Sequence, residues 1–137
     1  MNQPQNKLLF MSQQHVNLMN QRLAADSASL QICKGFDRAY QVAYELDRDG
    51  ATVWWTMEFD PASGVRFSLQ PPRQDDSLVL LKGSYRVVVD VSRRTKAGET
   101  IQMPLAASGN LGVFEIVKSA FAAAQKAAAI DTEFPEV

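Results

Sequence analysis

Apolar residues recur with a helical period at the two ends of the chain and alternate with polar residues in the middle. An apolar stripe over residues 7–25 predicts an N-terminal helix, with His15 projecting beside the stripe. A second, short helix is predicted over residues 29–34, because Gly35 suits the left-handed position that ends many helices. Residues 113–128 predict a longer helix whose apolar arc spans about 160°.

The alternating middle of the chain predicts strands with one buried face each. Three such runs lie at residues 40–46, 53–59 and 65–69, separated by turn-forming stretches. A fourth apolar run lies at residues 78–81, and renewed alternation at residues 101–105 predicts the last strand. Residues 85–94 remain ambiguous, because their valines favour a strand while the apolar run continues through both faces.

The composition predicts one domain of ordinary size. A chain of 137 residues, 46% of them hydrophobic, can bury a core without disulfides or metal ions. Its net charge of −1 offers no general attraction to nucleic acid or to an anionic membrane. No apolar run approaches the roughly 18 residues of a membrane span, and the polar N-terminus does not resemble a signal peptide. We therefore expect a cytoplasmic protein with no nucleic-acid partner and no transmembrane segment.

Residue types that carry covalent or metal chemistry are scarce. The chain has one histidine and one cysteine, shows no zinc-ligand spacing, and lacks the common nucleophile and phosphate-binding motifs. His15 has no carboxylate at a neighbouring helical position, so we interpret it as a histidine at the core boundary. Cys33 is interpreted as a small core residue. The sequence predicts no catalytic residues, no metal and no cofactor.

A G-x-x-G motif precedes the last predicted helix, at Gly109 and Gly112. Such a motif clamps nucleotides in KH domains, where it lies between two helices and usually carries basic residues. Here it follows a predicted strand and encloses Asn110 and Leu111. The pattern instead predicts a strand-to-helix turn at Gly109, with Asn110 as the helix cap.

The apolar face of the last predicted helix changes character along its length. Its first half carries bulky residues, among them Phe114, Val117 and Phe121, and its second half is almost all alanine. Alanine allows either a very close approach to a sheet or unfilled space beneath the helix. Two interpretations therefore stay open at this point, ordinary core packing and a helix that roofs a cavity.

Most of the chain resembles the sterol carrier protein 2 (SCP2) family of small lipid-binding domains. The likeness is closest within residues 75–124, which include "IQMPLAASGNLGVFEIVKSAF", and "YQVAYELDRDGATVWWTMEF" and "GVRFSLQ" are similar to the family's opening strands. The resemblance implies an α+β fold, with a five-stranded, mainly antiparallel sheet covered on one face by helices. It also implies a helix over residues 85–94. In this family a hydrophobic tunnel between sheet and helices takes fatty acyl chains, acyl-CoA or sterols.

Three segments follow from the resemblance: an N-terminal helical extension at residues 1–17, an SCP2-like domain at 18–130 and a C-terminal tail at 131–137. The resemblance predicts non-catalytic binding or carriage of a lipid or other apolar small molecule. The apolar positions that we expect in the tunnel wall are Trp55, Met57, Phe59, Phe67, Met103, Leu105, Phe114, Val117 and Phe121.

A second function stays open beside lipid binding. By strand alternation Trp54 points away from Trp55, onto the sheet face that carries no helices. An exposed aromatic there could contact a protein partner or a second copy of the chain. The alternative to a lipid carrier is therefore a non-catalytic accessory subunit or a dimeric interaction module of a bacterial metabolic pathway. An enzyme would require a role for His15 or Cys33 inside the cavity.

Overall fold

Four helices and seven strands build residues 8–136, the part of the chain that a computed structural model describes. The helices are α1 (Gln13–Ala24), α2 (Ser27–Cys33), α3 (Tyr85–Lys96) and α4 (Val113–Ala127). The strands are β1 (Leu8–Leu9), β2 (Tyr40–Arg48), β3 (Ala51–Asp60), β4 (Gly64–Ser68), β5 (Leu78–Ser84), β6 (Ala106–Gly109) and β7 (Thr132–Glu133).

Five of the strands form one mixed sheet in the order β4-β3-β2-β5-β6. All neighbours are antiparallel except β2 and β5, which run parallel. The alternation of apolar residues places Val42, Met57 and Phe67 in register on one face, where the helices cover them. The predicted α+β fold, with helices on one face of a mainly antiparallel sheet, is confirmed.

The covered face of the sheet carries two adjoining apolar clusters. The larger cluster packs α1, α2 and α4 against the sheet and includes Val16, Phe59 and Val117, each no more than 1% exposed. The smaller cluster lies under α3 and includes Leu46 and Val89, both fully buried. Two half-buried side chains, Tyr44 and Trp55, pack against both clusters, and they mark the region where the cavity described below lies.

Residues 85–94 are helical, as the resemblance to the SCP2 family implied. Ser84 caps α3, with its side chain accepting a hydrogen bond from the Val87 backbone N–H at 3.4 Å. Val88, Val89 and Val91 are buried on the side of the helix that faces the sheet. Burial of these side chains outweighs the few tenths of a kcal/mol by which each valine disfavours a helix.

The last strand of the sheet lies later than its apolar pattern predicted. Alternation favoured residues 101–105, but the strand that pairs with β5 is β6, at Ala106–Gly109. Pro104 has no N–H for a ladder, and the Leu105 N–H bonds to the Met103 carbonyl at 3.0 Å in a tight turn. Met103 and Leu105 instead pack against the smaller cluster. The prediction of a strand at residues 101–105 was wrong.

The N-terminal segment is less helical than its apolar stripe indicated. α1 begins only at Gln13, and β1 pairs in parallel with β7, with Leu8 opposite Thr132. Met11 adopts a positive φ of 60°, which turns the chain from β1 into α1. A boundary after residue 17 would therefore cut α1, and the extension and the tail share a small sheet. Residues 1–7 of the predicted extension lie outside the described residues.

The turn into α4 depends on Gly109. Its φ is +81°, and a Cβ at this position would lie 2.6 Å from the Leu78 carbonyl oxygen, so a side chain is excluded twice over. Asn110 does not cap the helix as predicted, because the cap position is Gly112 and has no side-chain bond. The Asn110 amide instead accepts from the Gly112 N–H at 3.1 Å and donates to the Asp76 carbonyl at 2.8 Å. It therefore fastens the turn to the start of β5.

Candidate ligand-binding cavity

An apolar cavity of about 230 Å³ lies between the sheet and the helices. We call it the central cavity. Strands β2, β3 and β4 form its floor, α3 and α4 form its sides, and the segment before α1 closes it. Its wall consists of Phe10, Met11, Tyr44, Leu46, Trp55, Met57, Phe67, Val88, Ser92, Met103, Phe121 and Gln125. Such a wall, mostly apolar with a few polar groups, is typical of small-molecule sites.

Two further cavities adjoin the central cavity and share its walls. The α4-side cavity, of about 320 Å³, meets it at Tyr44 and Phe121. The tail-side cavity, of about 330 Å³, meets it at Phe10, Trp55 and Gln125 and is bounded by the C-terminal tail. The central cavity therefore adjoins both of the others, which share no wall residue with each other.

Tyr44 lies in the wall between two of these spaces. Burial raises the pKa of its phenol above the ordinary value of 10.0, because the phenolate would lose its hydration there. Tyr44 packs against both apolar clusters, so it stands where they meet.

Most alanines on the apolar face of α4 pack closely against the core and do not border a cavity. Ala120 and Ala124 are fully buried in the larger cluster, and only the later Ala128 and Ala129 border a cavity, on the tail side. The central cavity instead lies beside Phe121 and Gln125 of α4. The sequence left two interpretations open, and each holds for a different part of α4. The middle of the helix packs closely on the core, whereas its Phe121 side and its C-terminal end border cavities.

The nine residues predicted for the tunnel wall fall into two sets. Seven line a cavity: Trp55, Met57, Phe67, Met103 and Phe121 the central one, and Phe114, Val117 and again Phe121 the α4-side one. Phe59 is fully buried in the larger cluster, away from all three cavities. Leu105 packs beside Gly83, where it fills the place of a side chain. Ligand contact by the seven stays a prediction.

The two ends of the chain close the tail-side cavity with aromatic rings. The Phe10 ring lies 5.0 Å from that of Phe134 and 6.1 Å from that of Trp55, centroid to centroid. The Phe10 N–H bonds to the Glu133 carbonyl at 2.9 Å, beside the β1–β7 pair. Lys96 contacts Asp131, and its ammonium lies 5.7 Å from the Phe134 ring centroid. This closure joins segments that are more than a hundred residues apart in sequence.

His15 is the most deeply buried ionisable group of this closure. It is 5% exposed, and its ring lies 5.6 Å from that of Trp55. Its Nδ1 accepts a hydrogen bond from the Met11 N–H at 3.1 Å, which requires an unprotonated Nδ1. Burial lowers the pKa of His15 below 6.5, so the imidazole is neutral at pH 7.

Stability is expected to fall as the pH is lowered through 6.5, because the proton binds the unfolded chain more tightly than the folded one. The loss begins near the unfolded pKa, continues down to the lower folded pKa, and amounts to at most about 1.4 kcal/mol per pH unit. Urea unfolding between pH 7.5 and 5 measures it. His15 is the only histidine, so His15→Asn should remove this slope. The lowered pKa values of Asp26 and Asp75 also make stability depend on pH, but only below the range of this experiment. An equal slope in the variant would contradict the assignment.

Groups suited to covalent or metal chemistry do not assemble here. Cys33 is fully buried, and burial raises the pKa of its thiol, which disfavours the reactive thiolate. Within residues 8–136 no three histidine, cysteine or acidic side chains gather as metal ligands would. In the same part of the chain, no helix has the length and apolar character needed to cross a membrane.

Trp54 lies on the opposite face of the sheet, as alternation predicted, but it is half-buried. It pairs in register with Glu45, which forms an ion pair with Lys82 at 3.1 Å. The far end of this face is covered by the loop after β4, where Gln41 bonds to the backbone of Arg73. The tryptophan therefore stands beside charged side chains.

Comparison with solved structures shows which known fold the chain adopts. A solution structure of a conserved hypothetical protein from Thermus thermophilus, described as possibly a sterol carrier protein, aligns with a TM-score of 0.56 and 10% sequence identity. The alignment covers 93% of this chain and 94% of that one. The fold is SCP2-like. A crystal structure of sterol carrier protein 2 aligns with a TM-score of 0.47 and 11% identity, over 88% of this chain and 95% of that one. No family model and no curated protein matches the sequence.

Several wall residues of this SCP2-like fold were not among the sequence candidates. Tyr44 alternates with Val42 and Leu46 on the buried face of β2, so strand periodicity alone could have identified it. Phe10 and Phe134 had no such signal, because each follows a strand of only two residues. Ser92 and Gln125 are polar and gave no hydrophobic signal at all.

Proposed function

We propose that this protein binds, and carries, an apolar ligand in the central cavity and the two cavities that adjoin it. The observation that carries the proposal is a space of about 230 Å³ whose wall consists mostly of apolar side chains, among them Leu46, Trp55 and Met57. The SCP2-like fold supports it, since a protein of this fold is described as a possible sterol carrier. Fatty acyl chains, acyl-CoA and sterol-like lipids are the ligand classes we propose.

The driving force would be the transfer of apolar groups out of water. Each methylene that enters the wall formed by Met57, Phe67 and Phe121 contributes about 0.8 kcal/mol. A chain of about ten buried methylenes thus gains roughly 8 kcal/mol, from which the cost of ordering the ligand is subtracted. No covalent step is needed for such a function, and we propose that the protein is not an enzyme.

Titration of the delipidated protein with straight-chain fatty acids of increasing length tests the proposal. Binding should saturate at one ligand per chain, and the affinity should rise about three- to fourfold per added methylene until the cavities are filled. A displaced fluorescent aliphatic probe provides the readout. Binding that does not saturate, or that ignores chain length, would contradict the proposed function.

The alternative, a partner-binding module that uses the face of Trp54, is supported less. The indole is half-buried and flanked by the Glu45–Lys82 ion pair, so the face lacks a broad apolar patch. Size-exclusion chromatography with light scattering tests it through Trp54→Ser. Loss of a dimer or complex in this variant would favour the alternative.

A further inference from the structure

We propose that the tail-side cavity holds the polar end of the ligand, an uncharged oxygen that accepts a hydrogen bond from His15 Nε2–H. The chemical class is an apolar molecule that ends in a hydroxyl or in an ester or ketone carbonyl. This inference rests on the proposed function, because it assigns the polar group of an otherwise apolar ligand.

His15 is a buried polar side chain with one hydrogen-bonding group left over. Its Nδ1 accepts from the Met11 N–H at 3.1 Å, so the neutral imidazole carries its proton on Nε2. Within residues 8–136 no acceptor takes up this proton, although His15 is only 5% exposed. Since no fully enclosed polar side-chain atom of these residues lacks a partner, Nε2 keeps some accessible surface, and we assign that surface to the tail-side cavity, whose wall includes His15.

The fold holds this donor in a fixed direction. The ring lies 5.9 Å from that of Phe10 and 5.6 Å from that of Trp55, centroid to centroid. The His15 backbone N–H bonds to the Ser12 side chain at 3.2 Å, which anchors the residue in the first turn of α1. A donor that is already oriented costs a ligand little ordering of the protein.

The charges around the cavity favour an uncharged acceptor over a carboxylate. Lys96 is the cation of the cavity wall, and it already contacts Asp131 and donates to the Thr132 carbonyl at 3.2 Å. The lowered pKa of His15 keeps the imidazole neutral at pH 7. A carboxylate at Nε2 would lose its hydration without gaining an unengaged cation, whereas a hydroxyl or carbonyl needs only one donor.

The same geometry gives the ligand a direction. The tail-side cavity adjoins the central cavity at Phe10, Trp55, Phe67 and Gln125, whose side chains border both spaces. With its oxygen at His15, an aliphatic chain would pass these side chains and reach Met57 and Phe121. The apolar part of the ligand would then lie among the mostly apolar side chains of the central cavity.

Two substitutions separate the anchor from a purely structural role. The amide of His15→Asn reaches the position of Nδ1 and can still accept from Met11, but it places no donor at Nε2. The amide of His15→Gln reaches the position of Nε2 and restores that donor. The affinities of the wild type and both variants for 1-dodecanol and for dodecanoate are measured at pH 7 by displacement of a fluorescent probe.

We expect His15→Asn to weaken the affinity for 1-dodecanol about two- to tenfold and His15→Gln to regain most of that loss. The affinity for dodecanoate should change little in either variant. Equal affinities for 1-dodecanol in the wild type and His15→Asn would contradict the hydrogen bond from His15 to the ligand. If His15→Asn instead weakened only the affinity for dodecanoate, the proposal that the bound oxygen is uncharged would be wrong. If the wild type binds neither probe, it is the proposed function that fails.

Nitrogen NMR of the wild-type imidazole tests the anchor without any variant. Adding 1-dodecanol at pH 7 should shift the protonated Nε2 resonance and its proton, while the Nδ1 resonance, held by Met11, moves little. An Nε2 resonance that does not move at saturation would overturn the proposal even if both variants fail to fold.

Discussion

Replacing Ser92 by phenylalanine is expected to reduce the affinity for an aliphatic ligand about 100-fold. Ser92 lies on α3 in the wall of the central cavity, where the structure leaves about 230 Å³ unfilled. A phenyl ring placed there displaces roughly four methylenes of ligand, worth about 3 kcal/mol. The protein itself should lose less than about 1.5 kcal/mol of stability, because the ring enters existing space. Titration with the aliphatic probe and urea unfolding measure the two quantities.

Val87→Phe is the matched control for this substitution. Val87 also lies on α3, but it is exposed and borders none of the three cavities. The same added ring should therefore leave ligand affinity within about twofold of the wild type. Equal affinity in Ser92→Phe and Val87→Phe would show that the ligand does not occupy the central cavity.

Replacing Phe59 by alanine is expected to lower the free energy of unfolding by about 3–5 kcal/mol. Phe59 is the largest of the fully buried side chains and is surrounded by the core cluster under α1, α2 and α4. Removing its ring leaves a hole that the neighbouring side chains cannot fill. Urea denaturation followed by the tryptophan fluorescence measures the loss.

Phe114→Ala provides the comparison for Phe59. Both residues are phenylalanines that the sequence places on an apolar face, but Phe114 is 38% exposed beside the α4-side cavity. Its removal should cost less than about 1 kcal/mol of stability and should act mainly on ligand affinity. Similar stability losses in the two variants would contradict the division between core residues and cavity residues.

The main elements of the fold could be predicted from the sequence because their signals are long and periodic. Apolar and polar residues alternate over residues 40–46 of β2 and 53–59 of β3, and α4 carries a continuous apolar arc over fifteen residues. The helix α3 could not be read from its pattern, because it is rich in valines whose burial decides the outcome. Only the resemblance to a known family identified it.

The predictions from the sequence were wrong mainly at short elements and tight turns. The strand predicted at residues 101–105 fails because Pro104 interrupts the ladder and Leu105 turns back on Met103. The cap predicted at Asn110 fails because its amide bonds to Asp76, a residue 34 positions away. The first outcome depends on a proline that apolar alternation alone does not take into account, and the second on a tertiary partner that a local pattern does not contain.

The candidate site was predictable only in part, for a related reason. Alternation placed Trp55, Met57 and Phe67 on the correct face of the sheet. It could not distinguish them from Phe59, which alternates in the same way but is enclosed by the core. Whether an apolar side chain fills space or borders it depends on its neighbours from α3 and from both chain ends. The surroundings of His15 likewise depend on the turn at Met11 and on Phe10, which lies beside the β1–β7 pair.

Native mass spectrometry of the protein after incubation with a mixed lipid extract tests the central claim most directly. The account predicts one apolar ligand bound per wild-type chain, retained in Val87→Phe and lost in Ser92→Phe. Ions of the bare chain alone for the wild type, or equal occupancy in the two phenylalanine variants, would contradict a ligand in the central cavity.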